Sequence, residues 1–220
     1  MIQKIPCFCD NNFSVEVPDE IDIDARPDYL EEIINGTFLN FTCPRCGKKH
    51  KPEFNITVLW PGKKIRIEVF TELDRGEFYR RKKEAPDKNP LKKETVIGYP
   101  ELADRLMVLR DSLEPAAVEA IKYYLQLKAE ETYPEDEIET WYAGSSDSSL
   151  EFHIHGISRS RNTGEGAKKE EEVAVMKISR DLYQKTLDDY IKHPKNEIFT
   201  ALRVRSYLSV KNMMRPEELK

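Results

Sequence analysis

Apolar and polar positions alternate with two different periods along this chain, and the change of period divides it. Phe13, Val15 and Val17 are separated by Ser14 and Glu16, the pattern of a half-buried strand following a turn at Cys7-Phe8-Cys9-Asp10-Asn11-Asn12. Asp24 to Ile34 predicts a short helix: Pro27 suits its first turn, Leu30, Ile33 and Ile34 share a face, and Asn35-Gly36 stops it. Phe38 to Phe41 then leads into a second turn, Cys43-Pro44-Arg45-Cys46-Gly47. Asn55 to Trp60 and Lys63 to Phe70 read as a hairpin around Pro61-Gly62, with Ile65, Ile67 and Val69 alternating with Lys64, Arg66 and Glu68.

The period then lengthens. Leu102, Leu106, Leu109 and Leu113 form a narrow helical stripe after Pro100. Pro115 suits the first turn of a second helix, with Val118, Ile121, Tyr124 and Leu125 on one face and an end near Pro134. Alternation returns at Leu150, Phe152 and Ile154, and a loop from Ser158 to Glu170 brings the chain back into a strand at Val173 to Ile178. Ser179 caps a helix from Arg180 to His193 with the stripe Leu182, Tyr183, Leu187, Tyr190 and Ile191. Residues 198–210 fit either a strand or a helix.

The expected fold class is α+β. A zinc-ribbon-like, β-rich module occupies residues 1–79, and a charged linker or loop spans 80–98. A helical hairpin at 99–134 packs on the first module, and an α+β part fills 135–220. The linker is inferred from the basic run 80–93, which carries two prolines and no apolar period.

Composition narrows the function classes. Charged residues make up 34% and the hydrophobic set 39%, a balance typical of a globular chain. No apolar run approaches the roughly 20 residues that span a bilayer. The first residues lack the apolar stretch of an export signal, so a reducing cytoplasmic setting is expected, without membrane attachment. A net charge of −5 argues against a dedicated nucleic-acid binder. G-x-S-x-G, P-loop, Rossmann glycine and H-E-x-x-H signatures are all missing, so no catalytic residues are assigned and a non-enzymatic protein is expected.

In a reducing compartment the four cysteines point to metal rather than disulfides. Cys7, Cys9, Cys43 and Cys46 could supply the four thiolates of one closed, structural zinc site. In the second turn, Pro44 pre-bends the chain and Gly47 permits the reversal. The first, Cys7-Phe8-Cys9, is one residue shorter than the usual spacing. Two alternatives stay open: His50 replacing a first-turn cysteine, or a thioredoxin-like redox pair at Cys43 and Cys46. The 33 residues between Cys9 and Cys43 exceed the spacer of a minimal zinc ribbon.

These turns, with Ser14-Val15-Glu16-Val17, Asn35-Gly36-Thr37-Phe38 and Phe41-Thr42 before Cys43, resemble the bacterial and archaeal CpXC family. The likeness runs from Ile5 to Phe70 and continues from Tyr99 to Ala129, around Glu101-Leu102-Ala103-Asp104-Arg105-Leu106 and Asp111-Ser112-Leu113. It departs at the first turn, where the proline and one spacer residue are absent and Asp10 stands at the usual glycine. The resemblance implies a zinc-binding two-knuckle fold and no assigned biochemical activity.

Other features have bland readings. His153 and His155 beside Glu151 are expected to be ordinary solvated histidines, and the leucine stripe to be core. The leading expectation is a zinc-stabilised interaction or adaptor protein whose partner is another protein. A nucleic-acid-binding zinc protein using residues 80–93 comes second, and a thiol redox enzyme third.

Overall fold

Two small hairpins carry the cysteine turns. In the computed structural model, which describes residues 1–81, 87–160 and 169–214, β1 (Ile2–Pro6) pairs antiparallel with β2 (Asn12–Glu16), Ile5 opposite Phe13. The strand β1 had no sequence signal of its own; its partner did. After β3 (Glu20–Asp22) comes α1 (Asp28–Ile34), which starts behind Pro27, buries Ile33 and stops where Gly36 takes a φ of 64°. The second hairpin joins β4 (Phe41–Thr42) to β5 (Lys49–His50), with Phe41 opposite His50.

The alternating run builds the larger sheet of this part. β6 (Ile56–Trp60) and β7 (Ile65–Phe70) are antiparallel and joined by a 3-10 turn at Pro61–Lys63. Ile65, Ile67 and Val69 are all buried, as their period required. The helix α2 (Arg75–Arg80) and the strand β8 (Lys92–Ile97) follow, β8 lying parallel to β7, and β3 lies parallel to β6 on the other side. The order is therefore β8-β7-β6-β3.

This corrects the expected linker at 80–98. Arg80 closes a helix, and Lys92–Ile97 is an inner strand in which Glu94, Thr95, Val96 and Ile97 are buried. Residues 82–86 of the basic run lie outside the described residues. The segment looked like a linker because its charges are matched by residues far away in sequence. Lys92 Nζ is 2.9 Å from Glu94, Lys93 Nζ is 2.8 Å from Glu68, and Arg105 Nη1 is 2.7 Å from Glu94 Oε2. Glu94 and Arg105 are only 3% and 4% exposed, so each stabilises a charge that the other would otherwise leave bare.

The chain forms two compact units, Met1–Leu106 with Arg205–Tyr207, and Met107–Val204 with Leu208 onward. The helix α3 (Tyr99–Arg110) therefore contributes to both. In the second unit, α4 (Pro115–Thr132) is capped by the Glu114 carboxylate and begins at Pro115. The strands β9 (Glu139–Ser145), β10 (Ser149–Ser160) and β11 (Lys169–Ser179) make an antiparallel sheet in the order β11-β10-β9. Ser179 Oγ accepts the Leu182 N–H at 3.3 Å and caps α5 (Arg180–Lys192).

The expected packing of the helical hairpin on the first module is also corrected. Val108, Leu113, Val118, Ile121 and Leu125 share one core with Tyr142, Leu150, Phe152 and Tyr183, all from the second unit. That sheet presents one apolar face, and α4 supplies the matching stripe. The stripe on α5 is narrower than its periodicity suggested: Tyr183 is buried, whereas Leu182 and Ile191 are 47% and 66% exposed. The ambiguous segment 198–210 holds both kinds of element, α6 (Glu197–Ala201) and then the short strands β12 (Arg203–Val204) and β13 (Tyr207–Leu208). A last helix, α7 (Lys211–Met214), ends the described chain. Tyr207 returns to the first unit, opposite Thr95 of β8.

The buried Glu94 carries a testable consequence. Burial pushes its carboxyl up, but Arg105 and Lys92 outweigh that and hold it below the ordinary 4.5. Its folded value is thus depressed, so the stability it contributes is present above 4.5 and is lost as pH falls through the folded value. Glu94→Gln should lower stability at neutral pH by about 3 kcal/mol in urea denaturation and make the acid-side decline shallower. An unchanged midpoint would contradict the pairing.

Candidate metal centre

The two cysteine turns close by the same device at different lengths. In the second, the Gly47 N–H bonds to Cys43 O at 2.9 Å, the Cys43 N–H bonds to Lys48 O at 2.9 Å, and Gly47 has a φ of 74°. In the first, the Asp10 N–H bonds to Cys7 O at 2.9 Å, the Cys7 N–H bonds to Asn11 O at 2.9 Å, and Asp10 has a φ of 62°. A left-handed residue ends each turn. The shorter spacing is absorbed by closing one residue sooner, and aspartate tolerates the left-handed region better than most side chains. This resolves how Cys7 and Cys9 converge although only one residue separates them.

The tips meet across the sequence. Cys7 Sγ is 3.5 Å from Cys46 Sγ, Cys9 Sγ is 3.8 Å from Cys43 Sγ, and all four sulfurs lie within 4.8 Å of one another. All four cysteines are free thiols. Four thiolates about 2.3 Å from a tetrahedral divalent ion would stand about 3.8 Å apart. The donor set and its spacing fit such an ion. Cys7 and Cys43 are buried, Cys9 is half-buried and Cys46 is exposed, so the centre has a wet and a dry side.

Polar neighbours hold the sulfurs in place. His50 Nε2 lies 3.2 Å from Cys7 Sγ, and its ring stands edge-on to Phe13 with centroids 5.8 Å apart. His50 therefore neighbours the thiol cluster, while the four cysteines form the cluster itself. The Asn11 side-chain amide approaches Cys43 Sγ at 3.6 Å, and Arg45 Nη1 donates to Cys9 O at 3.0 Å, fastening one turn to the other. Outer contacts of this kind orient ligands and tune their basicity. Asp10, Asn11 and Arg45 are the functional positions that sequence reasoning missed. The signal for Asp10 was present, as the residue standing at the usual glycine.

The thiols are electrostatically unequal. Burial pushes Cys43 up, but the N–H groups of Cys46 and Arg45, the Asn11 amide and the Cys7 thiol outweigh it and bring it down from 9.0 to about 6. For Cys7 the Cys9 N–H pulls down, but burial and the thiols of Cys46, Cys9 and Cys43 push it up to about 12. One thiolate is thus shared by the cluster, centred on Cys43 and stabilised by its neighbours' protons.

The other candidate residues stay apart from this centre. His153 lies 3.4 Å from Glu151, and its ring centroid is 6.4 Å from that of His155. Among the described residues, the four cysteines are the group whose ligand atoms converge. The described cations of the basic run have partners: Arg81 with Glu77 at 2.7 Å, Lys92 with Glu94 and Lys93 with Glu68. The Cys43–Cys46 turn runs into β5 and opens no helix, unlike a thioredoxin-type redox pair.

Comparison with known proteins agrees with this geometry. The family model described as CpXC protein matches residues 5–122, more than half of the chain. An uncharacterised protein of Treponema pallidum (strain Nichols) is 27% identical over 237 residues, covering 96% of this chain and 98% of the relative. No solved structure matches. None of the described helices is long and apolar enough to cross a membrane.

The Asp10 conformation predicts a position-specific response. Asp10→Gly should leave the first turn intact. Asp10→Val, with a branched side chain forced into the left-handed region, should cost about 1–2 kcal/mol. Denaturation followed through thiol accessibility checks this. Equal behaviour of the two variants would refute the left-handed closure.

Proposed function

The chain belongs to the CpXC family, and from that premise we propose that Cys7, Cys9, Cys43 and Cys46 hold one structural zinc ion in a non-enzymatic protein that acts by binding another protein. The reading rests chiefly on the convergence of the four sulfurs. An all-cysteine donor set is soft and matches zinc among the common divalent ions. Four protein ligands fill a tetrahedral shell and leave no position for a substrate, so the ion would be scaffold.

Magnitudes favour a metal at this place. Closing a loop of the length between Cys9 and Cys43 costs about 4 kcal/mol of chain entropy. Structural zinc supplies roughly 10–16 kcal/mol in small thiolate sites, ample to offset that closure. Binding to another protein is supported by large apolar side chains left in water. Phe8, at the tip of the first turn, is 86% exposed, with Lys48 Nζ 4.1 Å above its ring, and Leu73 is 97% exposed. The paired state of the described cations in the basic run gives the nucleic-acid reading no comparable support.

Elemental analysis of the purified chain should find about one zinc per molecule. Cys43→Ser should release it and unfold the first unit before the second. Absence of metal together with rapid reaction of all four thiols would overturn the zinc reading. The interaction reading has its own test: affinity capture from the native cell, with Cys43→Ser as control, should yield a protein partner lost in the variant. Salt-dependent binding to nucleic acid, or turnover of a disulfide substrate by the metal-free chain, would replace it.

A further inference from the structure

β11 is the outer strand of the sheet β11-β10-β9, and among the described residues no other strand pairs with its far edge. Along it Val173, Val175 and Met176 are 44%, 54% and 38% exposed. An uncovered strand edge presents a row of N–H and C=O groups to any chain that can match it, and proteins usually blunt such edges with short strands, charges, bulges or proline. This edge keeps an apolar centre instead. Its side chains alternate. Ala174 and Ile178 pack onto the cores under the sheet, whereas Val173, Val175 and Lys177 take the opposite face, with Val175 beside His153 and Lys177 beside Glu151 of β10.

We propose that two copies of the chain pair along this edge, β11 against β11, antiparallel about a two-fold axis through Ala174. A two-fold axis perpendicular to the sheet keeps like faces together, so each residue meets one of the same face in the second copy. With Ala174 on the axis, Val173 of each copy lies opposite Val175 of the other. The same register sets Lys177 opposite position 171, which is glutamate in the sequence. Two valine pairs are thus flanked by two pairs of opposite charge, and the edge complements itself in both respects. Centring the axis on Val175 would oppose Val173 to Lys177. Centring it on Val173 would oppose Val175 to the acidic position 171. Neither alternative matches like with like.

Lys177 can take part because its side chain is 67% exposed and its Nζ sits a loose 3.5 Å from Glu151. Pairing would continue the sheets of both copies into one and cover the exposed valines. This inference is independent of the zinc centre, since no cysteine belongs to β11.

The test is the mass of the full, metal-loaded chain in sedimentation velocity at micromolar concentration. The wild type should sediment at twice the chain mass. V173K/V175K sets like charges opposite one another and should sediment as a monomer. V173K/V175E sets opposite charges in the same register and should remain a dimer that dissociates at high salt. Both variants alter exposed positions, and far-UV circular dichroism checks that each is folded. A monomeric wild type overturns the proposal. So does a V173K/V175K variant that stays dimeric, or a V173K/V175E variant as monomeric as V173K/V175K. A monomeric chain whose β11 edge captures an added extended peptide would overturn self-pairing in favour of strand addition by a foreign partner.

Discussion

Two hairpin tips separated by 33 residues must meet within the width of one ion, and much of the first unit can be understood from that requirement. Neither hairpin is long enough to be stable alone; β4 and β5 are two residues each. Their sulfurs supply the common point. The intervening chain is spent on β3, which pairs with β6, and on α1, whose buried Ile33 anchors it. The thiol cluster is therefore tied through the intervening segment to the larger sheet. The Arg45 bond to Cys9 O reinforces the same crossing from the backbone side.

Away from the cysteines, the first unit is organised by buried charge. Arg75 donates to Glu101 at 2.7 Å, to the Tyr207 hydroxyl at 2.9 Å and to Ile97 O at 3.3 Å, joining α2, α3, β8 and β13 through one guanidinium. The Glu94–Arg105 pair links β8 to α3 nearby. Such arrangements tolerate little change, because removal of one member leaves its partner's charge in a poorly solvated place. The second unit has a smaller version: Glu119 accepts from Lys122 at 2.9 Å and from the Val210 N–H at 2.8 Å, so one carboxylate holds the end of the chain against α4.

The second unit also shows why a sheet and two helices need not cover everything. α4 and α5 close one face over Tyr142, Leu150 and Phe152. The opposite face and the β11 edge keep their valines in water. A bulge between Ile154 and Ile157 turns β10, and Gly156, at a φ of 87°, has no room for a side chain because the Glu137 carbonyl occupies that space. Packing is therefore close along the inner strand and absent at the outer one.

The sequence by itself determined the local features: the hairpin around Pro61-Gly62, α1 stopping at Gly36, the proline start of α4, the Ser179 cap, and four thiols grouped into two turns. Each depends on neighbours within a few residues, where period, cap and turn chemistry are readable. Only the tertiary structure decided that Lys92–Ile97 is an inner strand, that α4 belongs to the C-terminal sheet, and that Asp10 and Asn11 complete the first turn. The charges of β8 look like linker until Arg105 and Glu68, distant in the chain, stand beside them. A helical stripe announces that it will be buried, not which of two sheets will bury it. The physical reason is common to these cases. Periodicity encodes a residue's relation to its own element, while the partner across a core or an ion pair is fixed only when the whole chain has closed.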